Sequence, residues 1–390
     1  MKQKINESFN VQLESCLNIA KWSPSSHNSQ PWFCLLVENS KHQKQLFKNI
    51  NDQLLLEDPG SRVILLGLDN NRCLKALAAH DLEMHLSLGA FSQVLIRLLY
   101  LSGYSILVNE YYEQSLALDW IDKSKEPKLA VIIKVDNHNQ ANIKKPEQKT
   151  CYDRFVDLVK SRKTNRGGYL PISSSDQFFN EESVLQYAKL YDQHDSQVVH
   201  FNNTWQVQTI VELIKKHAGL DFQHNQAWSE TYRYIYFLTK DCKPIGFSVQ
   251  SLFGDCNFIK RLWFATIFNP KVISMLNYFG FHQLIAKQMA TLVNDCAFCV
   301  GITIEHSASI KQKIMAGAKV VDNWLSATAN GLSYHPLSIL LQHDHVRSQL
   351  ERRLGVKGRL IFFVRVGQAI STFKDTSRIS GDELLTTDLF

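Results

Sequence analysis

The stretch from Ala20 to Trp32, Ala-Lys-Trp-Ser-Pro-Ser-Ser-His-Asn-Ser-Gln-Pro-Trp, gathers the side chains best suited to recognition. Ser25, Ser26, Asn28 and Gln30 offer donors and acceptors to a flat polar heterocycle, and the small residues let backbone amides approach it closely. The same composition suits a helix-to-strand turn that satisfies its own backbone. A second run, Ser161-Arg-Lys-Thr-Asn-Arg-Gly-Gly-Tyr169, carries Arg162 and Arg166. Guanidinium forks donate in pairs to phosphate oxygens, but alone this run reads first as a solvated helix end. No Ser-His-Asp set, P-loop or Gly-x-Gly-x-x-Gly fingerprint is evident, so hydrolysis, nucleotide hydrolysis and a Rossmann domain have no positive support. The histidines, His343-x-His345 included, form no metal constellation.

The elements that must hold these residues follow from periodicity. Val11, Leu13, Cys16, Leu17 and Ala20 give a helix that stops at Ser23-Pro24, and Trp32 to Val37 is an apolar strand. Arg62 to Leu68 reads as a buried strand, and Cys73 to Ser102 as a long helix closed by Gly103. Tyr104 to Val108 and Leu129 to Val135 are further strands, and Asp136 to Lys149 is a polar linker. Beyond it come a helix around Glu182 to Tyr191, a strand at Gln197 to Phe201 and a helix from Thr204 to Ala218. Last are a strand at Phe298 to Ile304, a small-residue helix from Ile310 to Asn330 closed by Gly331, and a strand from Leu360 to Val366.

At 390 residues and 45% hydrophobic, the chain can fill two ordinary cores or one large duplicated one. A net charge of +6 comes without a Lys/Arg block, since Lys144-Lys145 and Arg352-Arg353 are isolated doublets, so nucleic acid is not an expected partner. The N-terminus lacks the apolar core of a signal peptide, which points to the cytoplasm. The eight cysteines are expected reduced and mostly buried, because only Cys296-x-x-Cys299 is closely spaced and no second pair accompanies it. Trp263 to Ile285 is apolar, but Asn269-Pro270, Lys271, Asn277 and His282 interrupt it below the ~18 clean residues of a membrane span. A mobile or partly buried helical insert is expected there.

The order of elements repeats. Gly89-Ala90 and Gly103-Tyr-Ser105 recur as Gly317-Ala318 and Gly331-Leu-Ser333 at one offset of 228 positions. Two fused copies of one α+β unit account for this. The alternative is two unrelated helices that both need small residues for close packing.

The run Pro24-Ser-Ser-His-Asn-Ser-Gln-Pro-Trp32 resembles the flavin-edge loop of the nitroreductase superfamily, Pro-Ser-Ser-x-Asn-x-Gln-Pro-Trp. Arg162-x-Thr164-x-Arg166 resembles that superfamily's phosphate motif. The first half has the loop without the motif, and the second the motif without the loop, a pattern that resembles the Acg-type subfamily of internally duplicated nitroreductase-like proteins. The resemblance implies an α+β nitroreductase-like FMN-binding fold, with two fused copies forming a pseudo-dimer in one chain. Residues 1–145 would be the first half and 146–390 the second, with a lid insertion at about 221–295 rich in aromatics.

By this resemblance FMN is the cofactor, one per chain, and the protein is a monomer. Ser25, Ser26, His27, Asn28 and Gln30 would meet the flavin edge. Arg162 would hold the phosphate, with Thr164 and Asn165 beside it. Arg166 would lie under the N1/O2 edge, where a cation stabilises the reduced flavin's negative charge. Ser333 and Tyr334 would serve N5, His335 could line the pocket or be structural, and Arg378 is a second phosphate candidate, with Arg365 a weaker one. The implied activity is FMN-dependent hydride transfer at N5 to or from a flat organic substrate, with NAD(P)H as a candidate reductant and no catalytic side chain or metal. Two alternatives remain open: an FMN-sequestering protein whose lid excludes nicotinamide, and a biosynthetic flavin dehydrogenase or oxidase.

Overall fold

Strands buried at every position need cover on both faces, and Trp32–Val37 (β1) and Phe298–Ile304 (β9) are of this kind. The computed structural model describes residues 2–47, 61–113, 118–134, 146–170, 196–238, 243–294, 296 and 298–388. Within them β1, Ser61–Asp69 (β2), Ser105–Tyr111 (β3) and Lys125–Lys134 (β4) form an antiparallel sheet in the order β1-β2-β4-β3. A second sheet is built from Gln197–Phe201 (β6), β9, Ser333–Pro336 (β10) and Arg359–Ala369 (β11), and its order is β6-β9-β11-β10. The two orders are the same when each strand is matched to its counterpart in chain sequence. Tyr169–Leu170 (β5) adds to the end of β11, and Ile235–Tyr236 (β7) pairs with Phe247–Ser248 (β8) in the insertion.

The long helices of the two halves, Ala79–Leu101 and Ile310–Ala329, pack against each other between the sheets. A Cβ on Gly89 would lie 1.9 Å from the carbonyl oxygen of Ile314, and one on Gly317 would lie 2.2 Å from that of Leu86. Each glycine therefore meets the residue three positions before the other. That reciprocity is what a two-fold axis through the crossing produces, and only glycine permits so close a backbone approach. The crossing is fastened by Arg97, whose guanidinium donates to Asp322 at 2.8 Å while Gln93 donates to the same carboxylate at 3.1 Å. The Ala79–Leu101 helix is long and apolar enough to cross a membrane, but 94% of its apolar window is buried inside the protein, so it is a core helix.

Two expectations change. The long helix starts at Ala79 and not at Cys73, because Leu74 N–H bonds the Met84 sulfur and Glu230 takes the Lys75 and Ala76 N–H groups. The linker ends earlier, since Pro146–Ser161 is helical with proline in its first turn, and the rest of the linker and the Glu182 to Tyr191 helix lie outside the described residues. The insertion is a chain of helices, chiefly Asn225–Arg233, Phe258–Ile267, Pro270–Asn277 and Phe281–Asn294.

The C-terminal tail crosses from the second half to the first. Leu385–Thr387 (β12) lies parallel to β1, and Asp388 caps Glu38 N–H at 2.6 Å and meets His42 Nδ1 at 2.7 Å. This crossing carries Arg378 to the loop after the first helix.

Candidate functional site

The positive-φ non-glycine residues of the described chain are His27, Asn28 and Gln30, with φ of 51°, 50° and 48°. Left-handed backbone disfavours side chains, so three such residues within four positions need a surrounding structure that over-determines them. That structure is visible. Asn28 Nδ2 donates to the carbonyls of Gly246 at 2.8 Å and Ser377 at 2.9 Å, and Gln30 Nε2 donates to that of Pro244 at 2.7 Å. Ile379 N–H donates back to Gln30 Oε1 at 3.0 Å. The insertion and the tail are thus pinned to the loop by the amides of Asn28 and Gln30.

The loop lines a cavity of about 900 Å³ between the two halves, a volume within the range of small-molecule sites. Ser25, Ser26, His27, Asn28, Arg162, Thr164, Arg166, His335 and Arg378 reach it, whereas Gln30, Asn165, Ser333 and Tyr334 do not. Asn165 instead donates to Ser371 O at 2.6 Å and anchors the tail. Tyr334 is fully buried against Trp324, its hydroxyl donating to Asn323 Oδ1 at 2.6 Å. Arg365 is consumed internally as well, donating to His335 Nδ1 at 2.9 Å and to the carbonyls of Leu292 and Gly167.

Three guanidinium groups converge on the cavity, where the carboxylate nearest them, Asp375, acts on Arg378 but is paired with Lys163. Arg162 donates to Trp22 O at 3.0 Å and lies 4.5 Å over the Trp324 ring, and its Nε is buried without a partner. Arg378 donates to Asn28 Oδ1, packs over Trp22 and also leaves Nε unpaired. Arg166 lies 5.1 Å over Phe247, and among the described residues none of the three forms an ion pair. Burial, then repulsion from Arg378, pushes Arg162 down to about 9. Burial likewise pushes Arg166 and Arg378 down to about 10. Desolvated guanidinium groups without ion pairs of their own are unfavourable, so this end of the cavity is suited to hold an anion.

The long helix supplies residues that sequence reasoning missed. Glu83 is partly buried at the cavity wall, accepting from Ser26 Oγ and from Gln342 Nε2 at 3.2 Å. Burial raises its carboxyl pKa, against the opposing influence of His80, Ser26 and Gln342. His80 sits beside it with Nδ1 3.0 Å from Glu230. A glutamate or histidine on an otherwise apolar helix carries no local signal; only the chain reversal that brings Gln342 across makes Glu83 part of a site.

His27 is pushed down to about 3 by burial, then by His80 and Arg166. Because the folded chain holds it neutral while the unfolded chain protonates near 6.5, folding stability falls by about 1.4 kcal/mol per pH unit as pH drops from 6.5 toward 3. His27→Asn keeps a residue tolerant of the left-handed φ. It is expected to flatten this acid limb in urea melts between pH 6.5 and 4.5 while leaving stability at pH 8 nearly unchanged; an unaltered pH slope would show His27 is not the group responsible.

Residues 11–94, which include this loop and most of the long helix, match the nitroreductase family. Over 386 residues, 98% of this chain and 95% of the relative, the chain is 28% identical to the "Probable NAD(P)H nitroreductase PigM" of Serratia sp. (strain ATCC 39006). Over this segment and along its length, the chain is similar to members of the nitroreductase superfamily. Among solved structures it is similar to the FMN-dependent nitroreductase NfnB of Mycobacterium smegmatis in complex with NADPH, with TM-score 0.33, 11% identity, and 57% of this chain and 89% of that one covered. It is also similar to oxidized iodotyrosine deiodinase bound to FMN and 3-iodo-L-tyrosine, with TM-score 0.31, 13% identity, and coverage of 57% and 93%. Among the described residues no group of three or more His, Cys, Asp or Glu could hold a metal, and the described cysteines are free.

Proposed function

We propose that the protein is a nitroreductase-superfamily, FMN-dependent oxidoreductase acting on a flat organic substrate in the cytoplasm, with one flavin held between two fused halves of a monomer. The observation that carries the reading is the set Arg162, Arg166 and Arg378, gathered at one cavity with no ion pair of their own among the described residues, Asp375 being the nearby carboxylate that acts on Arg378. The orphaned Nε atoms of Arg162 and Arg378 fit a phosphate, which would accept from both. FMN, when bound, supplies hydride transfer at its N5, with NAD(P)H as the candidate donor.

The chain's own residues then have separable tasks. Arg162 and Arg378 neutralise the phosphate, and Arg166 offers its charge to the polar edge of the ring. The strained loop presents Ser25, Ser26 and His27 to that ring while Asn28 and Gln30 hold the loop in place. Of the carboxyls lining the cavity, Glu83, Asp221 and Asp375, Glu83 is the one bonded to the loop through Ser26, and it is placed to give or take the proton that accompanies a hydride.

Phe253, Phe264 and Phe268 stack over the other side, with the Phe268 ring 5.6 Å from each partner, and all three line the cavity. Such a roof excludes water and delays bulky reductants. Because the insertion also holds the loop through Pro244 and Gly246, a point change probes the roof more cleanly than a deletion. Phe268→Ala is expected to speed anaerobic bleaching by NADPH roughly tenfold, the effect of about 1.4 kcal/mol taken from the closed state. Flavin that stays yellow in both proteins favours the sequestering alternative; equal bleaching rates show that this roof does not gate the flavin.

A further inference from the structure

The Phe258–Ile267 helix carries seven apolar residues in ten and buries none of them. Phe264, Ile267 and part of Trp263 face the cavity, while Phe258 at 66% and Ile259 at 75% are open to solvent with Leu262. The turn that ends the next helix exposes Tyr278 at 89% and Phe279 at 83%. A mostly apolar helix that buries none of its residues belongs at an interface, and contiguous exposed apolar surface marks an interaction site.

The charge around these residues selects the partner. Residues 256–294 contain no Asp or Glu, and they hold Lys260, Arg261, Lys271 and Lys287. Lys287 shares one shallow surface depression with Lys215 and Lys216. An isologous contact with a second copy would set this cationic surface against itself. Aromatic tips flanked by Lys and Arg are what an anionic bilayer surface binds, the rings at headgroup depth and the cations on lipid phosphates.

We propose that the insertion docks the protein peripherally on anionic membranes through the Phe258–Ile267 helix and the Tyr278-Phe279 turn. Because Trp263 both lines the cavity and is half exposed, the docked face and the roof of the cavity are one structure. This holds whatever the cavity binds.

The test is co-sedimentation of the intact protein with phosphatidylcholine vesicles containing or lacking phosphatidylglycerol. Binding is expected only with phosphatidylglycerol, weakening as salt rises from 0.05 to 0.5 M. The double variant Tyr278→Ser/Phe279→Ser should lose at least about tenfold in affinity with an unchanged melting temperature, since both side chains are exposed. Lys260→Glu/Arg261→Glu should abolish the preference for anionic lipid. Wild-type protein that ignores anionic vesicles, or a serine double variant that binds as wild type, overturns the proposal. So does concentration-dependent dimerisation that the same serine substitutions abolish, which would make a second copy the occupant.

Discussion

Arg162→Met is expected to weaken FMN binding by about 2 kcal/mol, roughly thirtyfold, and at the same time to stabilise the flavin-free chain. The opposite signs follow from one arrangement. Arg162 is buried, repelled by Arg378 and bonded through one carbonyl, with Nε left over. Exchanging an uncompensated buried cation for an apolar chain of similar length against Trp324 is expected to add about 1–4 kcal/mol to the flavin-free fold. Fluorescence titration with FMN and thermal melts of the stripped protein read the two effects separately. Arg378→Ala should lower affinity by a similar factor, but it also releases Asn28 from its partner, so its effect on the stripped protein is less clean. A melting temperature that falls in Arg162→Met, with FMN affinity intact, would show Arg162 to be a structural pin.

Gly89→Val is expected to destabilise the chain by about 3 kcal/mol or more and to release flavin with it. At 1.9 Å from Ile314 O the added Cβ meets backbone and not a flexible side-chain end, so the two long helices must separate. The cavity lies between the halves that this crossing joins, and separation loosens both walls. Gly317→Val should behave alike, its Cβ falling 2.2 Å from Leu86 O. Ser92→Ala, one turn along the same helix, removes a buried hydroxyl without a partner and should be neutral or slightly stabilising. If Gly89→Val melts like Ser92→Ala, the crossing is not as close as described.

How much of this was legible in the sequence depends on the distance over which each feature is encoded. The strands from Trp32 to Val37 and from Gln197 to Phe201 follow from local apolar runs, and their bounds are those observed. The Gly89 and Gly317 offset pointed to a repeat, and the matching strand orders and the reciprocal crossing are its structural counterpart. The jobs of Asn28 and Gln30 were not legible. Their amides are set by partners 218, 349 and 214 positions away, which no spacing within the loop encodes. Ser333 and Tyr334 follow the repeated helix as expected, but β10 turns Tyr334 into the second core, and the cavity is reached from His335 onward. Glu83 stayed hidden because a carboxylate facing a cavity from an apolar helix looks, in one dimension, like any solvated glutamate.

The claim that two unequal halves complete a single flavin site is tested most directly by counting. Protein purified without added cofactor would be denatured with acid, and the released flavin identified by chromatography and quantified against chain concentration after saturation with FMN. The account predicts FMN at one per chain, with a monomer in light scattering. A ratio near two would mean that both pseudo-symmetric positions are competent, and a chain that takes up no FMN at saturation would contradict the reading of Arg162, Arg166 and Arg378 as its binding site.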